Sequence, residues 1–323
     1  MILYILRRLL FALLLLTGIS FLTFWLMHAT PGNFFDALKL NPQISPETVA
    51  RYEKLYGLKE PLLVQYGHWF FNVCRGEFGY SFFYNVPVSH LILTRLANTF
   101  ILSLAAFLLT WGLAIPLGIW AALHHNRLID RFLSICSFAA FSTPSFFLAM
   151  LLLYTVSQWG ILPLGGMHSP NYESFSGVSK VLDLAAHLVI PTIVLSLGSM
   201  ASLQRIMRGN MLAQLRQHYI TAARAKGLPE RQVIYRHALK NAFNPLVTLL
   251  GYELSGLLSG AALIEIVCSW PGLGSLMLTA VRSKDVYVVM ASLLLGSLLL
   301  LIGNLLADIA LVRLDPRIRY AKS

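Results

Sequence analysis

Six apolar runs, each about as long as a bilayer is thick, constrain this chain more than any other feature. They lie at Leu9 to Met27, Thr99 to Leu123, Phe132 to Trp159, about Leu184 to Leu203, Leu246 to Ile264 and Val286 to Val312. A helix rises about 1.5 Å per residue, so about 20 apolar residues cross roughly 30 Å of hydrocarbon. Composition agrees: 57% of residues are hydrophobic and only 12% charged, with a mean hydropathy of +0.67, far from the soluble average. The expected fold is all-α and integral to the membrane, with six transmembrane helices.

The first run follows Arg7 and Arg8, as a signal peptide would. Its uncharged stretch of 19 residues exceeds the about 7–15 of a signal-peptide apolar region, and no small-x-small cleavage site follows. It reads as a retained span. Orientation follows the Lys and Arg distribution. The chain ends and the loops after the second and fourth spans carry 16 of the 25 basic residues, opposed there only by Asp130, Glu230 and Asp315. Both termini are therefore expected in the cytoplasm. The net charge of +11 is concentrated in these short loops without an aromatic-interleaved basic domain, which argues for topology rather than nucleic-acid binding.

The segment from Ala29 to Asn98 is too polar to cross the bilayer and reads as an extracytoplasmic cap. It has helix-like stretches near Ser45 to Leu55 and Pro61 to Val73; Ser45 can cap the first, with Pro46 at its first position and Glu47 near its positive end. The cap either docks a soluble partner or simply covers helix ends. Cys74 and Cys268 both face outward in this topology, as a disulfide or as two free thiols, while Cys136 falls within a span.

Between the fourth and fifth spans, Tyr219 to Pro245 forms a basic loop. Gly227 permits the left-handed residue that ends a helix, and Pro229 suits the first turn of the next. Two short helices with a fixed elbow are expected. Such a loop either docks a partner, since an amphipathic helix can lie in a groove, or binds anionic lipid headgroups.

In order and spacing this loop resembles the EAA loop of binding-protein-dependent ABC importer permeases, in which Ala-Ala followed by a Gly four residues on marks the coupling helix. Thr221 stands where the motif's name has Glu, a mild departure because members of one branch commonly lack it. The resemblance extends to Tyr4-Ile-Leu-Arg-Arg-Leu-Leu, Pro31-Gly32, Tyr56-Gly-Leu-Lys-Glu-Pro-Leu, Gly76-Glu-Phe-Gly-Tyr-Ser81, Ser142-Thr-Pro-Ser-Phe146, Trp270-Pro-Gly-Leu-Gly274 and Leu314-Asp-Pro-Arg-Ile-Arg319. In this order they are similar to the dipeptide/oligopeptide/nickel-type permease family. The resemblance implies a type I ABC importer fold, with 1–93 as first helix plus cap, 94–312 as permease core and 313–323 as cytoplasmic tail. It also implies a second homologous permease subunit, two ATP-binding subunits and an extracytoplasmic substrate-binding protein. Thr221, Ala222, Ala223, Ala225, Lys226, Gly227, Leu228 and Arg231 would contact the ATPase. Leu62-Leu-Val-Gln-Tyr-Gly67 and Gly118-Ile-Trp-Ala-Ala122 also look like nickel-branch relatives, so peptide and nickel-chelate substrates both stay open.

The energy source is constrained independently. A Walker A loop needs Gly-Lys followed by Ser or Thr, and none of the 22 glycines is followed by Lys, so by that route ATP hydrolysis would fall to a partner. An ion-coupled secondary transporter would instead use carboxylates inside spans. Glu253 and Asp308 are the candidates, each with a structural alternative as a hydrogen-bonded or ion-paired group, whereas Glu265 is expected at the outer interface. A serine nucleophile at Ser259 has only His187 as a distant base. His124 and His125 lack a supporting Cys or carboxylate cluster for a metal. Neither catalysis nor a cofactor is expected. Pro116, Pro144 and Pro191 fall in or near spans, where proline kinks a helix or packs in place.

Overall fold

The computed structural model describes residues 2–32, 34–39, 45–55, 57, 60–256 and 261–314. In order, the helices are α1 (Ile2–Ala29), α2 (Phe34–Lys39), α3 (Pro46–Leu55), α4 (Leu62–Cys74), α5 (Val88–Leu123), α6 (Leu128–Ser142) and α7 (Ser145–Trp159). Then come α8 (Gly177–Leu215), α9 (His218–Ala225), α10 (Glu230–Gln232), a π-helical turn (Val233–Ala238), α11 (Leu239–Gly256), α12 (Ala262–Val267), α13 (Leu273–Arg282) and α14 (Val286–Leu314). Extended pairing among the described residues is confined to one isolated bridge between Tyr80 and Pro87.

Four of these helices are long and apolar enough to cross a membrane, or five when α6 and α7 count as one span broken by 104°. Two differences from the expected six runs have local causes. The run Phe132 to Trp159 is interrupted because Thr143 leaves the helix in an extended conformation and Pro144, also extended, starts α7 without a side-chain cap. Proline disfavours helix at the preceding residue, and its ring admits no amide donor. The run Leu246 to Ile264 begins within α11, which ends at Gly256, and residues 257–260, with Ser259 among them, lie outside the described residues. Pro116 and Pro191, by contrast, sit inside continuous helices of 36 and 39 residues.

The chain divides into two compact units, the boundary between them passing through α5 and α14. The first comprises Met1–Asn98 with Gly272–Leu301. Val88 and Ile92 of α5 pack against Leu276, Val288 and Val289 in its core, and Phe24 of α1 packs with Trp69 and Met290. The cap helices form where expected; the Ser45 carbonyl accepts the Val49 amide at 3.3 Å, with Pro46 in the first turn of α3. The Gly76 to Ser81 motif acquires a reason here. The fully buried Ser81 donates to Asp285 Oδ2 at 2.6 Å, and the Phe83 amide donates to the same oxygen at 3.1 Å. Gly79 has φ +91, and a Cβ there would lie 3.1 Å from the Tyr287 ring.

The second unit comprises Thr99–Pro271 with Ile302–Ser323. Its main cluster joins Trp111 and Ala114 of α5, Leu203, Met207 and Met211 of α8, Ile220 and Ala223 of α9, and Ala242 and Leu246 of α11. At Gly118 the α5 backbone runs so close to α8 that a Cβ would be 2.7 Å from Met207 Cβ and 2.8 Å from the Gln204 carbonyl oxygen. Trp270 of the Trp-Pro-Gly motif is fully buried beside Leu102 and Ala261. Cys74, Cys136 and Cys268 are all free thiols.

The charge bias makes topology testable. With Cys74, Cys136 and Cys268 replaced by serine, a cysteine replacing Arg75 is expected to react with a membrane-impermeant maleimide on intact cells, and one replacing Gln217 only after permeabilisation. External labelling at 217 would reverse the orientation.

Candidate coupling elbow

The elbow is built from the end of α8. After Leu215 the chain turns at Arg216 and Gln217, and Gln217 is extended (φ −76, ψ 148) before α9 begins. Ile220 and Ala223, three residues apart, share a face and are buried among Met207, Met211, Val233 and Ala238. Thr221, Ala222, Ala225 and Lys226 are exposed. Polar ties fix the helix further: the Tyr219 hydroxyl donates to Gln214 Oε1 at 2.7 Å and accepts from Asn241 Nδ2 at 3.0 Å.

α9 ends in a Schellman motif. The Leu228 amide donates to the Ala223 carbonyl (3.4 Å) and the Gly227 amide to the Arg224 carbonyl (2.9 Å), with Gly227 left-handed at φ +77. Leu228 packs on the same cluster as Ala223, which supplies the hydrophobic contact that accompanies this cap. Across the turn, the Arg224 guanidinium grips Glu230 with Nη2 to Oε1 at 2.6 Å and Nε to Oε2 at 3.1 Å. That hydrogen-bonded pairing raises the Arg224 pKa and lowers that of Glu230. Both side chains are largely exposed, so the pair sets the angle of the turn more than it stabilises the fold.

The second helix differs from the sequence expectation in two respects. Pro229 (φ −62, ψ 140) occupies the N-cap position of α10 rather than its first turn. The second helix is also not short, because Glu230 to Gly256 is continuous through α10, the π turn and α11. A π turn holds one residue more than an α turn, and such turns concentrate at functional sites. Among the eight residues assigned to ATPase contact, Thr221, Ala222, Ala225, Lys226, Gly227 and Arg231 are exposed, Leu228 is half-buried, and Ala223 is buried against the protein's own helices. Ile220, Arg224 and Glu230 escaped the sequence reading. The Ile220–Ala223 spacing and the opposite charges flanking the Gly-Leu-Pro turn were the available signals.

Of the two carboxylates weighed as ion relays, Glu253 has a partner. Glu253 Oε2 accepts the Trp111 indole N–H at 2.6 Å. Glu265 is fully buried and accepts from the Thr99 hydroxyl at 2.5 Å. Asp308 lies on α14, and its side chain is outside the described residues. His124 Nδ1 donates to the Trp120 carbonyl at 3.0 Å, and no group of three metal-ligating side chains occurs among the described residues.

Several helices long and apolar enough to cross a membrane, with an exposed capped helix between two of the long ones, define an integral membrane protein of the multi-pass class. Comparison with known proteins makes this specific. Residues 114–320 match the family described as binding-protein-dependent transport system inner membrane component, and residues 1–105 match its N-terminal companion. The chain is 37% identical to the oligopeptide transport system permease protein AppB of Bacillus subtilis strain 168, over 98% of this chain and 99% of that protein. It is 33% identical to the dipeptide transport system permease protein DppB of Escherichia coli K12, over 99% of each, and 38% identical to a putative peptide permease protein of Brucella suis biovar 1, over 98% of each. The chain belongs to the binding-protein-dependent transport system inner membrane components and is a multi-pass inner-membrane protein. The resemblance carried by the EAA-like loop and the Trp-Pro-Gly-Leu-Gly motif thus extends along nearly the whole sequence.

Proposed function

We propose that this chain is one of two permease subunits of an ATP-driven ABC importer and forms half of a translocation path that works by alternating access. Its partners in this reading are a second homologous permease, two ATP-binding subunits and an extracytoplasmic substrate-binding protein that docks on the cap. Residues 1–93 supply the first helix and cap, 94–312 the permease core, in which the broken α6–α7 pair and α11 complete the six spans, and 313–323 a cytoplasmic tail, with both termini inside. Short peptides are the proposed substrate class, in keeping with the names of the relatives; chelated nickel or related small solutes are the second arm of the test.

The observation that carries the reading is the exposed small-residue face of α9, Thr221, Ala222 and Ala225 beside Lys226, on a helix whose other face is packed into the helical bundle. A force on that face reaches the spans without bending the loop. Small side chains allow close approach of a partner groove, and the cap at Gly227 holds the helix at one angle.

The decisive experiment is uptake into proteoliposomes containing this chain with its partner permease, ATPases and binding protein. ATP-dependent accumulation of short peptides or of chelated nickel is expected. Glu253→Gln should leave uptake within about twofold, because the glutamine oxygen still accepts from Trp111 and a neutral acceptor loses little of a hydrogen bond worth about 1 kcal/mol. Uptake by the chain alone under a proton gradient, abolished by Glu253→Gln, would overturn the reading in favour of a secondary transporter.

A further inference from the structure

We propose that Asp130 and Arg208 are positioning residues for coupling, a clamp that makes α6 and α8 move as one piece with the elbow; the inference rests on the importer reading above. Asp130 is 2% exposed. Its Oδ1 accepts Arg208 Nε–H at 2.6 Å, and its Oδ2 accepts Arg208 Nη2–H at 2.7 Å. The planar guanidinium meets the carboxylate through two parallel bonds, which fix rotation as well as distance. Oδ2 also accepts the Asn126 amide at 2.9 Å, holding the left-handed turn at Asn126 (φ +63) between α5 and α6. His125 Nδ1 lies 3.2 Å from Arg208 Nη2. The same ring nitrogen lies 3.3 Å from Asp130 Oδ2, so it faces both members of the pair, accepting from the guanidinium in one tautomer and donating to the carboxylate in the other.

Position on α8 gives the clamp its role. Met207, the residue before Arg208, and Met211, one turn beyond it, are both fully buried in the cluster that holds Ile220 and Ala223 of the elbow. One face of α8 thus carries α9 while the neighbouring face grips α6. Further along the same pair, the Ser137 hydroxyl donates to Gln204 Oε1 at 2.9 Å. The Arg205 guanidinium stands 5.0 Å from the Phe138 ring and 4.9 Å from that of Phe141. A push on α9 is carried through Met207 and Met211 into α8, and from α8 through the clamp into α6 up to its break at Pro144.

The test uses the assembled transporter and the chain itself. In the transporter, Asp130→Asn keeps the shape but removes the charge, and Arg208→Lys keeps the charge but removes the fork. Both are expected to lower substrate uptake about tenfold while ATP hydrolysis per assembled complex stays within about twofold of wild type, a coupling loss of the size carried by positions between distant sites. In membranes containing the chain alone with Ala223→Cys, a position buried beneath the elbow, per-site mass spectrometry should show permeant-maleimide labelling at 223 about threefold faster when Asp130→Asn is added, because the elbow opens locally more often. Uptake and hydrolysis that fall in step with the amount of complex would reduce the pair to a folding contact, and unchanged uptake with unchanged labelling would also overturn the clamp. A wild-type complex that neither hydrolyses ATP nor accumulates any substrate would instead defeat the importer reading, and the labelling comparison would still judge the clamp.

Discussion

Gly118→Val is expected to deplete the folded chain from the membrane. The α5 backbone at Gly118 touches α8 so closely that a Cβ would stand 2.7 Å from Met207 Cβ and 2.8 Å from the Gln204 carbonyl oxygen. A flexible side-chain end could swing away, but a backbone oxygen and a Cβ move only with their helix. Both α8 residues are buried, Met207 completely, so separation would open the cluster that also seats the elbow. Overpacking of this kind costs about 1–3 kcal/mol, and valine adds two further methyl groups. The same change at Gly198, where a Cβ meets nothing within 4 Å, is the control. Detergent-solubilised variants compared by thermal unfolding should show a large loss at 118 and a small one at 198. Equal stability at the two sites would mean that α5 and α8 do not approach as described.

Gly227→Val should have the opposite signature, with the chain abundant but transport uncoupled. A Cβ at Gly227 meets no atom within 4 Å, so sterics raise no objection; the objection is the φ of +77. A β-branched residue held in the left-handed region costs on the order of 1–3 kcal/mol. The long helices do not depend on this turn, but the Schellman cap does, and without it α9 loses the angle set by the Leu228 and Gly227 amides. Gly227→Asn is the internal control, since asparagine tolerates this conformation. Pull-down of the ATPases and substrate uptake, run in parallel, should drop for valine and largely survive for asparagine. If a stably expressed valine variant binds ATPase and transports like wild type, the elbow is not what couples.

These two glycines show what the sequence made legible. Gly227 could be read directly, because Ala-Ala-Arg-Ala-Lys-Gly-Leu-Pro carries its cap in local order, and a left-handed helix end is decided within a few residues. Gly118 could not, because its constraint comes from Met207 and Gln204, far along the chain. The same division separates the long spans, announced by continuous apolar runs, from the buried polar pairs. The partner of Glu265 was illegible because its neighbours Ile264, Ile266 and Val267 give no sign that Thr99 waits on another helix. Asp130 read as one of few acids opposing a basic face, whereas its partner Arg208 counted merely as one more cytoplasmic cation. Ala223 read as contact surface because an Ala-Ala pair does not reveal which alanine faces inward; burial of Ile220 three residues earlier decides it.

The break between α6 and α7 bears on where lipid can go. A helix end leaves four carbonyls without intrahelical donors, and a helix start leaves four amides without acceptors. At Ser142 to Ser145 both kinds of orphan meet. The Thr143 hydroxyl serves one of them, donating to the Ala139 carbonyl at 2.8 Å, and Pro144 has no amide to satisfy. No side chain caps the start of α7. Acyl chains offer neither donors nor acceptors, and an unbonded backbone group costs several kcal/mol in hydrocarbon. Wherever this corner lies in depth, headgroups, water or another polypeptide must therefore reach it. The phenylalanines at 141, 146 and 147, all exposed, flank that point with surface suited to lipid, so the belt of acyl chains around this protein has to give way here to a group that can hydrogen-bond.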